Sequence, residues 1–283
     1  MTRLVVEIVR RLRRDPLPYL LAVAMAANIG SAATITGNPQ NILIGSFSRI
    51  PYGVFAARLS PVAAGGLLLT IVLVALMHPA EFRNREPFAA RPPPAHLHRP
   101  LAAKAVVAVL LMMAGFFAGQ PPAKVALVGG GSMLLTRGVR SDRIYREIDW
   151  PLLVMFAGLF VAVDGFEKAL LSPELVAAIG GFGLERPAIL ATATAVLSNL
   201  VSNVPAVLVI KPFLAGQGDQ QRAWLIVAMP STFAGNLSAL GSVANLIVVQ
   251  LARAHGVTIG FWQYFRVGAP LTLLTIGIGL WWL

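Results

Sequence analysis

Residues 24–44 read AMAANIGSAATITGNPQNILI, and residues 228–248 read AMPSTFAGNLSALGSVANLIV. At one constant offset Ala24 matches Ala228, Met25 matches Met229, Gly37 matches Gly241 and Asn41 matches Asn245, and an aliphatic triplet follows each asparagine. Chance likeness of two small-residue helices is the competing explanation. Both copies lie in the longest runs that lack Asp, Glu, Lys and Arg, 16–48 and 223–252. A bilayer is crossed by about 17–25 apolar residues in a helix, so each run is too long for one straight crossing. Gly37-Asn38-Pro39 breaks the first helix, because proline lacks an N–H and biases the residue before it away from helix. The second copy has Gly235, Gly241 and two serines around the stretch from Asn236 to Ser242, with no proline to force the break. Unwound backbone at membrane depth is tolerated only where it is buried in protein or lines a cavity. The expected binding site is therefore Thr34, Thr36, Gly37, Asn38 and Asn41 in the first copy. In the second it is Asn236, Ser238, Gly241, Ser242 and Asn245.

The rest of the chain agrees with a membrane setting. Six further charge-free runs occupy 59–80, 105–123, 125–136, 150–163, 187–210 and 267–283, so well over half of the 283 residues sit in such runs. Hydrophobic residues make up 57%, charged residues 12%, and mean hydropathy is +0.73, whereas soluble domains carry about 25% charge. The fold class read from this is an all-α polytopic membrane protein. The net charge of +11 does not imply nucleic acid, since the basic residues cluster between apolar spans. There is no cysteine, which removes disulfides and thiol chemistry. His78, His96, His98 and His255 form no ligand pattern with carboxylates, and no metal is expected beyond a coupling cation. The N-terminal MTRLVVEIVRRLRR has no unbroken apolar core of a cleavable signal.

Most of the 23 basic residues fall in one set of loops: 3–14, 83–104, 137–146, 253 and 266. The positive-inside rule puts this set, including the linker 80–100, in the cytoplasm and the C-terminus outside. The first repeat then runs outward and the second inward, an inverted-repeat arrangement typical of secondary transporters. The bookkeeping requires 187–210 to enter and leave from one side. In that segment Ser198-Asn199 and Ser202-Asn203 are spaced i to i+4, and Pro205 marks the expected chain reversal at the tip of a re-entrant hairpin spanning about 187–214. Plain interhelical glue is the other use of Ser and Asn in membranes. Gly115 and Gly119 form a GxxxG whose simplest meaning is close helix packing. Asp164 is open to two readings, proton coupling at depth or an interfacial pair with Lys168.

The segments ANIGSAATITGNPQNILIG, LSNLVSNVPAVLVI and AGNLSALGSVANLIV resemble the ion-transporter superfamily with the citrate transporter-like domain. That group holds dicarboxylate and citrate carriers, arsenite permeases and a class of sodium/proton antiporters. The resemblance implies two re-entrant hairpins facing two broken helices, with sodium and substrate between them. It makes Ser202-Asn203 a hairpin tip, with Val204 where carboxylate carriers have threonine. It also implies a sodium site at Ser202, Asn203, Gly241 and Asn245. The Gly-Asn-Pro-Gln-Asn and Gly-Ser-Val-Ala-Asn turns look closer to the arsenite and anion-permease branches than to dicarboxylate carriers. Subtracting the repeat offset from Ser202 and Asn203 gives positions before Met1, so the first hairpin tip is expected upstream and the first repeat is expected to be incomplete.

The organisation read from the chain is 1–79 as the remainder of a first repeat, 80–100 as linker, and 101–283 as the second repeat. The latter comprises three helices, the hairpin, a broken helix at 221–252 and a final helix at 265–283. The function expected is a secondary active carrier of a small inorganic or organic anion in the cell (inner) membrane, driven by a sodium or proton gradient, with sodium the coupling ion that the Ser and Asn oxygens suit. Arsenite efflux, sodium/proton antiport and a truncated, non-transporting fragment are the alternatives. No enzyme is expected, since there is no H-E-x-x-H, no paired aspartates at depth and no Ser/His dyad. The partners expected are the substrate anion, the lipid bilayer and a second copy as homodimer, with no nucleic acid.

Overall fold

The computed structural model describes residues 2–83, 99–134, 148, 150–170 and 183–283. Most of the linker 80–100, with His96 and His98, and nearly all of 137–149 therefore lie outside the described residues, as do the side chains of Glu167 and Lys168. Thirteen helices are described: α1 Thr2–Arg11, α2 Pro16–Ser31, α3 Pro39–Ser48, α4 Tyr52–Met77, α5 Pro79–Arg83, α6 Arg99–Phe117, α7 Pro122–Leu134, α8 Trp150–Leu170, α9 Pro187–Val201, α10 Asn203–Leu214, α11 Gln220–Phe233, α12 Val243–Ala254 and α13 Phe261–Trp282. Among the described residues α4, α6 and α13 are each long and apolar enough to cross a bilayer alone. Leu68, Leu76, Leu111, Leu127 and Trp281 are each well over half exposed. In water such surfaces would be a liability, whereas lipid accepts them.

Two compact units form. One holds residues 1–50, 55–92 and 173–283; the other holds 51–54 and 93–172. In the second unit α6 packs on α7, with Gly115 leaving room for Val125 and Gly129 for Met112. Gly119 does not extend that packing stripe. It has φ +77 and follows α6, with Gln120 N donating to Gly115 O at 3.0 Å. This is a left-handed helix stop that glycine tolerates best, so the GxxxG splits into one packing residue and one cap.

In the first unit the repeat is visible as packing. α1 packs on α2 and α12, while α10 packs on α11 and α3, and these pairs interchange under the repeat offset. The start of each broken helix repeats too. Asp15 caps α2 by accepting from Leu17 N, and Asp219 caps α11 by accepting from Arg222 N; such caps satisfy donors that a helix leaves free. The compact units do not follow the chain halves, because each repeat packs an arm against the other repeat's broken helix.

Polar side chains tie helix ends together in two places in this unit. At one, Arg14 meets Glu81 Oε1 at 3.3 Å, Tyr19 Oη donates to the same oxygen at 2.9 Å, and Arg10 donates to the carbonyl of His255. At the other, Lys211 lies 5.0 Å over the Phe47 ring and Trp282 Nε1 donates to Arg58 O at 2.9 Å. Gln217 Nε2 donates to Leu184 O at 2.9 Å, which brings the residues before α9 and after α10 together. The α9–α10 hairpin therefore starts and finishes at one end, as a re-entrant element must.

Candidate functional site

The first break is longer than its Gly-Asn-Pro core. α2 stops at Ser31, a 3-10 turn spans Ile35–Gly37, and α3 starts at Pro39. Asn38 is extended, φ −154 and ψ 163, as the residue before proline prefers to be. Its Oδ1 accepts from Asn41 N at 2.8 Å and so caps α3. The turn passes so close to the end of α2 that a Cβ on Gly37 would sit 1.9 Å from Ser31 O. Asn41 closes the gap: its Nδ2 reaches Thr34 O at 3.0 Å and Ser31 O and Ala32 O at 3.4 Å each. Ser31 O is a carbonyl that the end of a helix leaves without an intrahelical partner, and Thr34 O also accepts from Gly37 N at 3.2 Å.

The second break repeats the glycine and asparagine contacts, although its 3-10 turn falls earlier in the interruption. α11 gives way to a 3-10 turn at Ala234–Asn236, and α12 begins after Ser242. Asn245 Nδ2 donates to Gly235 O at 2.7 Å and Ser238 O at 3.3 Å, where Asn41 reaches Ser31 and Thr34. Gly241 stands for Gly37, with a Cβ there 2.7 Å from Gly235 O. Proline is not needed. Ser242 is extended and caps α12 by accepting from Ala244 N at 3.2 Å.

One consequence bears on the chemistry. Asn41 and Asn245 are fully buried, their amide nitrogens are spent on carbonyls, and their Oδ1 atoms accept no hydrogen bond of good geometry among the described residues, although the Tyr264 hydroxyl interacts with the Asn245 side chain. An unsatisfied buried acceptor costs about 1–3 kcal/mol, and such an atom at a functional site points to a bound ion or water. Carbonyl oxygens of this kind are hard donors that suit sodium.

The hairpin adds two more atoms of the same sort. Ser198 Oγ and Asn203 Oδ1 are buried and lack a partner among the described residues. Asn199 Nδ2 donates to Ala195 O at 3.0 Å and Ala234 O at 3.1 Å, which ties α9 to the second break. The described hydrogen bonds thus join hairpin and break through Asn199 rather than through Ser202 or Asn203. The chain reverses at Ser202, not at Pro205. Ser202 has φ 77 and ψ 161, a region close to glycine-only, while Pro205 sits in the first turn of α10, where a missing N–H costs nothing.

That conformation carries a prediction. Strain at such a residue is about 1–3 kcal/mol, against about 0.5–1 kcal/mol of added chain entropy for glycine. Ser202→Gly is expected to raise the unfolding midpoint in detergent, and Ser202→Ala, which keeps the strain, is not. Equal midpoints for the two variants would count against the strain.

Several residues picked from sequence are occupied otherwise. Asn38 Nδ2 donates to Ser31 Oγ at 3.0 Å and Thr232 Oγ1 at 3.1 Å. Asn236 accepts from Asn28 Nδ2 at 3.1 Å and donates to Met25 O at 3.3 Å. Ser242 Oγ donates to Asn28 Oδ1 at 2.9 Å. These bonds build the breaks. Thr34, Thr36 and Ser238 lie half-buried in the connecting turns, and Gly37 is exposed there. Sequence reasoning missed Asn28, Gln40, Thr232, Thr272 and Tyr264. Thr272 Oγ1 donates to the freed carbonyl of Phe233 at 3.2 Å, and Gly268 lets α13 pass close to Asn236 O. Tyr264 is fully buried, and its hydroxyl interacts with the Asn245 side chain. Asn28 and Thr232 could have been found, because they occupy the same repeat position.

Two broken helices related by an internal repeat, with a re-entrant hairpin against them and uncharged oxygens at the breaks, define the architecture of a membrane carrier. The model of the citrate transporter family matches residues 1–234. The chain belongs to that family and is a multi-pass membrane transporter. An uncharacterized transporter of Mycobacterium tuberculosis strain H37Rv is 30% identical over 95% of this chain and 67% of its own length. The silicon efflux transporter LSI3 of Oryza sativa subsp. japonica is 26% identical over 99% of this chain and 73% of its own. A Dictyostelium discoideum protein described as a transporter, arsB, is 33% identical over 62% of this chain and 32% of its own.

Proposed function

We propose that this chain carries a small anion across the cell membrane by a cation-coupled secondary mechanism, with sodium as the coupling ion. The observation that carries the reading is the repeat-related pair Asn41 and Asn245, each with a buried Oδ1 at an unwound helix that accepts no hydrogen bond of good geometry among the described residues. Ser198 and Asn203 supply the same kind of atom from the hairpin, and with Ser202 and Gly241 they are the residues that would hold sodium in the second half. A bound sodium supplies positive charge, and these residues supply its oxygens. The substrate would be held by hydroxyls, amides and the N-terminal ends of α3 and α12, which favour negative charge.

A second reading has its own observation. No Lys or Arg lies within 16–48 or 223–252, so a small uncharged hydroxide of arsenic or silicon also suits the site, and silicon efflux is what the name of one relative describes. Purified chain in sodium-loaded vesicles separates the two. Citrate, phosphate or sulfate movement that needs sodium supports the first, whereas arsenite or silicic acid movement without sodium dependence supports the second. A vesicle that moves none of these under any gradient contradicts both.

The sidedness that goes with the reading places the linker in the cytoplasm and Leu283 outside. Reporter fusions after Arg91 and at the C-terminus are expected on opposite faces. Because the chain has no native cysteine, Arg186→Cys and Lys211→Cys can be probed singly in intact cells. Both are expected to react with an impermeant thiol reagent. Reaction of only one would mean that the hairpin crosses.

A further inference from the structure

Under the repeat offset Asn28 in α2 corresponds to Thr232 in α11, and Asn38 corresponds to Ser242. The hydrogen bonds obey the same exchange. Ser242 Oγ donates to Asn28 Oδ1 at 2.9 Å, and Asn38 Nδ2 donates to Thr232 Oγ1 at 3.1 Å. Each broken helix therefore holds, from its first half, the residue that caps the second half of the other. Both braces are reinforced. Asn28 Nδ2 also binds Asn236 Oδ1, and Gln40 Nε2 also donates to Thr232 Oγ1 at 3.2 Å. Thr232 Oγ1 spends its own proton on Ala228 O at 3.0 Å, so its hydroxyl is left to accept from the first break. Asn28 is 5% exposed and Thr232 is fully buried, so water cannot take over these bonds. Gly235 leaves the room: a Cβ there would lie 2.9 Å from Asn28 Nδ2.

We infer that Asn28 and Thr232 are a reciprocal pair of positioning residues that lock the two breaks together, so that a cation seated at one break fixes the geometry of the other. Neither touches the proposed ion. Each acts through the cap at the start of α3 or α12, which sets where the Asn41 or Asn245 side chain stands. A ligand can bias the distant break only through such a shared element, and two crossed braces make the coupling reciprocal. The consequence for transport rests on the assignment of the breaks as the carrier's site, but the brace itself can be read without it.

The test uses single-cysteine forms of the whole chain, Ala33→Cys in the first break and Leu240→Cys in the second, modified by an impermeant maleimide in detergent. Thr232→Val removes the acceptor and keeps the shape. It is expected to speed modification at position 33 about threefold or more, as loss of a buried hydrogen bond allows, while leaving position 240 unchanged. Asn28→Ala is expected to do the reverse, and Ser242→Ala removes the same bond if Asn28→Ala does not fold. Thr232→Ser, which keeps the hydroxyl, is expected to behave as the parent. Loosening of the mutated helix's own break, of both breaks alike, or of neither would overturn the brace. A sodium titration against choline chloride supplies the second arm. Where the parent is protected at both positions, Thr232→Val is expected to keep protection at 240 and lose it at 33, and retained protection at both overturns the coupling. A parent protected at neither position counts against sodium at the breaks, and the crossed pattern of rates still decides the brace.

Discussion

Gly37→Ala is expected to leave little folded carrier, although it adds one methyl group to a residue that is exposed. A Cβ there would lie 1.9 Å from Ser31 O, 2.7 Å from Ser31 C and 3.0 Å from Ser31 Cα. All three are backbone atoms, so no side-chain rotation relieves the overlap. Overpacking costs about 1–3 kcal/mol and occasionally more, and a rigid backbone contact belongs at the upper end. The alternative to paying that cost is to move the end of α2 away from the turn, which would pull Ser31 O and Thr34 O off Asn41. Gly241→Ala has the same neighbours by repeat but a wider gap, 2.7 Å to Gly235 O, and is expected to lose less. Gly30→Ala is the control. Nothing lies within 4 Å of a Cβ there, and Gly to Ala within a helix gains about 0.5–1 kcal/mol. Thermal unfolding in detergent should rank Gly30→Ala above the parent, then Gly241→Ala, then Gly37→Ala. A Gly37→Ala protein as stable as the parent would mean that the turn does not press on the end of α2.

Repeat and composition made the architecture legible, because both copies kept the residues whose chemistry forces an interruption. Gly37 and Gly241 are required by close backbone approach, and Asn41 and Asn245 by the carbonyls that an interrupted helix exposes. The extent of the breaks was not legible. Asn38-Pro39 announces where α3 can begin, but nothing in the alternation of Ala, Ser and Thr before it says that α2 already ends at Ser31. The tip of the hairpin was displaced for a related reason. Proline is a strong punctuation mark in sequence, yet at Pro205 it does no more than occupy the first turn of α10, while the reversal is made by a serine in a conformation that serine rarely adopts. The braces were hidden because they join residues about two hundred positions apart. Asn28 and Thr232 are of different chemical types, so only the repeat offset relates them, and only folding shows that each serves the opposite copy. Occupancy was the other thing sequence could not supply. Asn38, Asn236 and Ser242 have their side chains engaged in hydrogen bonds within the breaks, whereas Asn41, Asn245, Ser198 and Asn203 keep an oxygen without such a bond.

Those spare oxygens give the last expected result. Asn245→Ala removes a buried oxygen and also strips Gly235 O and Ser238 O of their donor. Each loss is worth about 1–3 kcal/mol, so the cation midpoint for transport is expected to weaken about tenfold and the unfolding midpoint to fall as well. Asn203→Ala differs in a useful way. Its Oδ1 is unpartnered, so removing it should weaken the cation response with a smaller loss of stability. If both atoms hold one ion, the double variant is expected to be less than additive, because the second change acts on a site already lost. Asn41 provides the contrast. It belongs to the other break, and if each break holds its own cation, Asn41→Ala combined with Asn245→Ala should be close to additive in binding measured break by break. Additivity for Asn203 with Asn245 would separate the hairpin from the second break and return Ser198 and Asn203 to packing. An unchanged cation response in both single variants would do more, since it would leave the buried oxygens of the breaks with no ion to explain them.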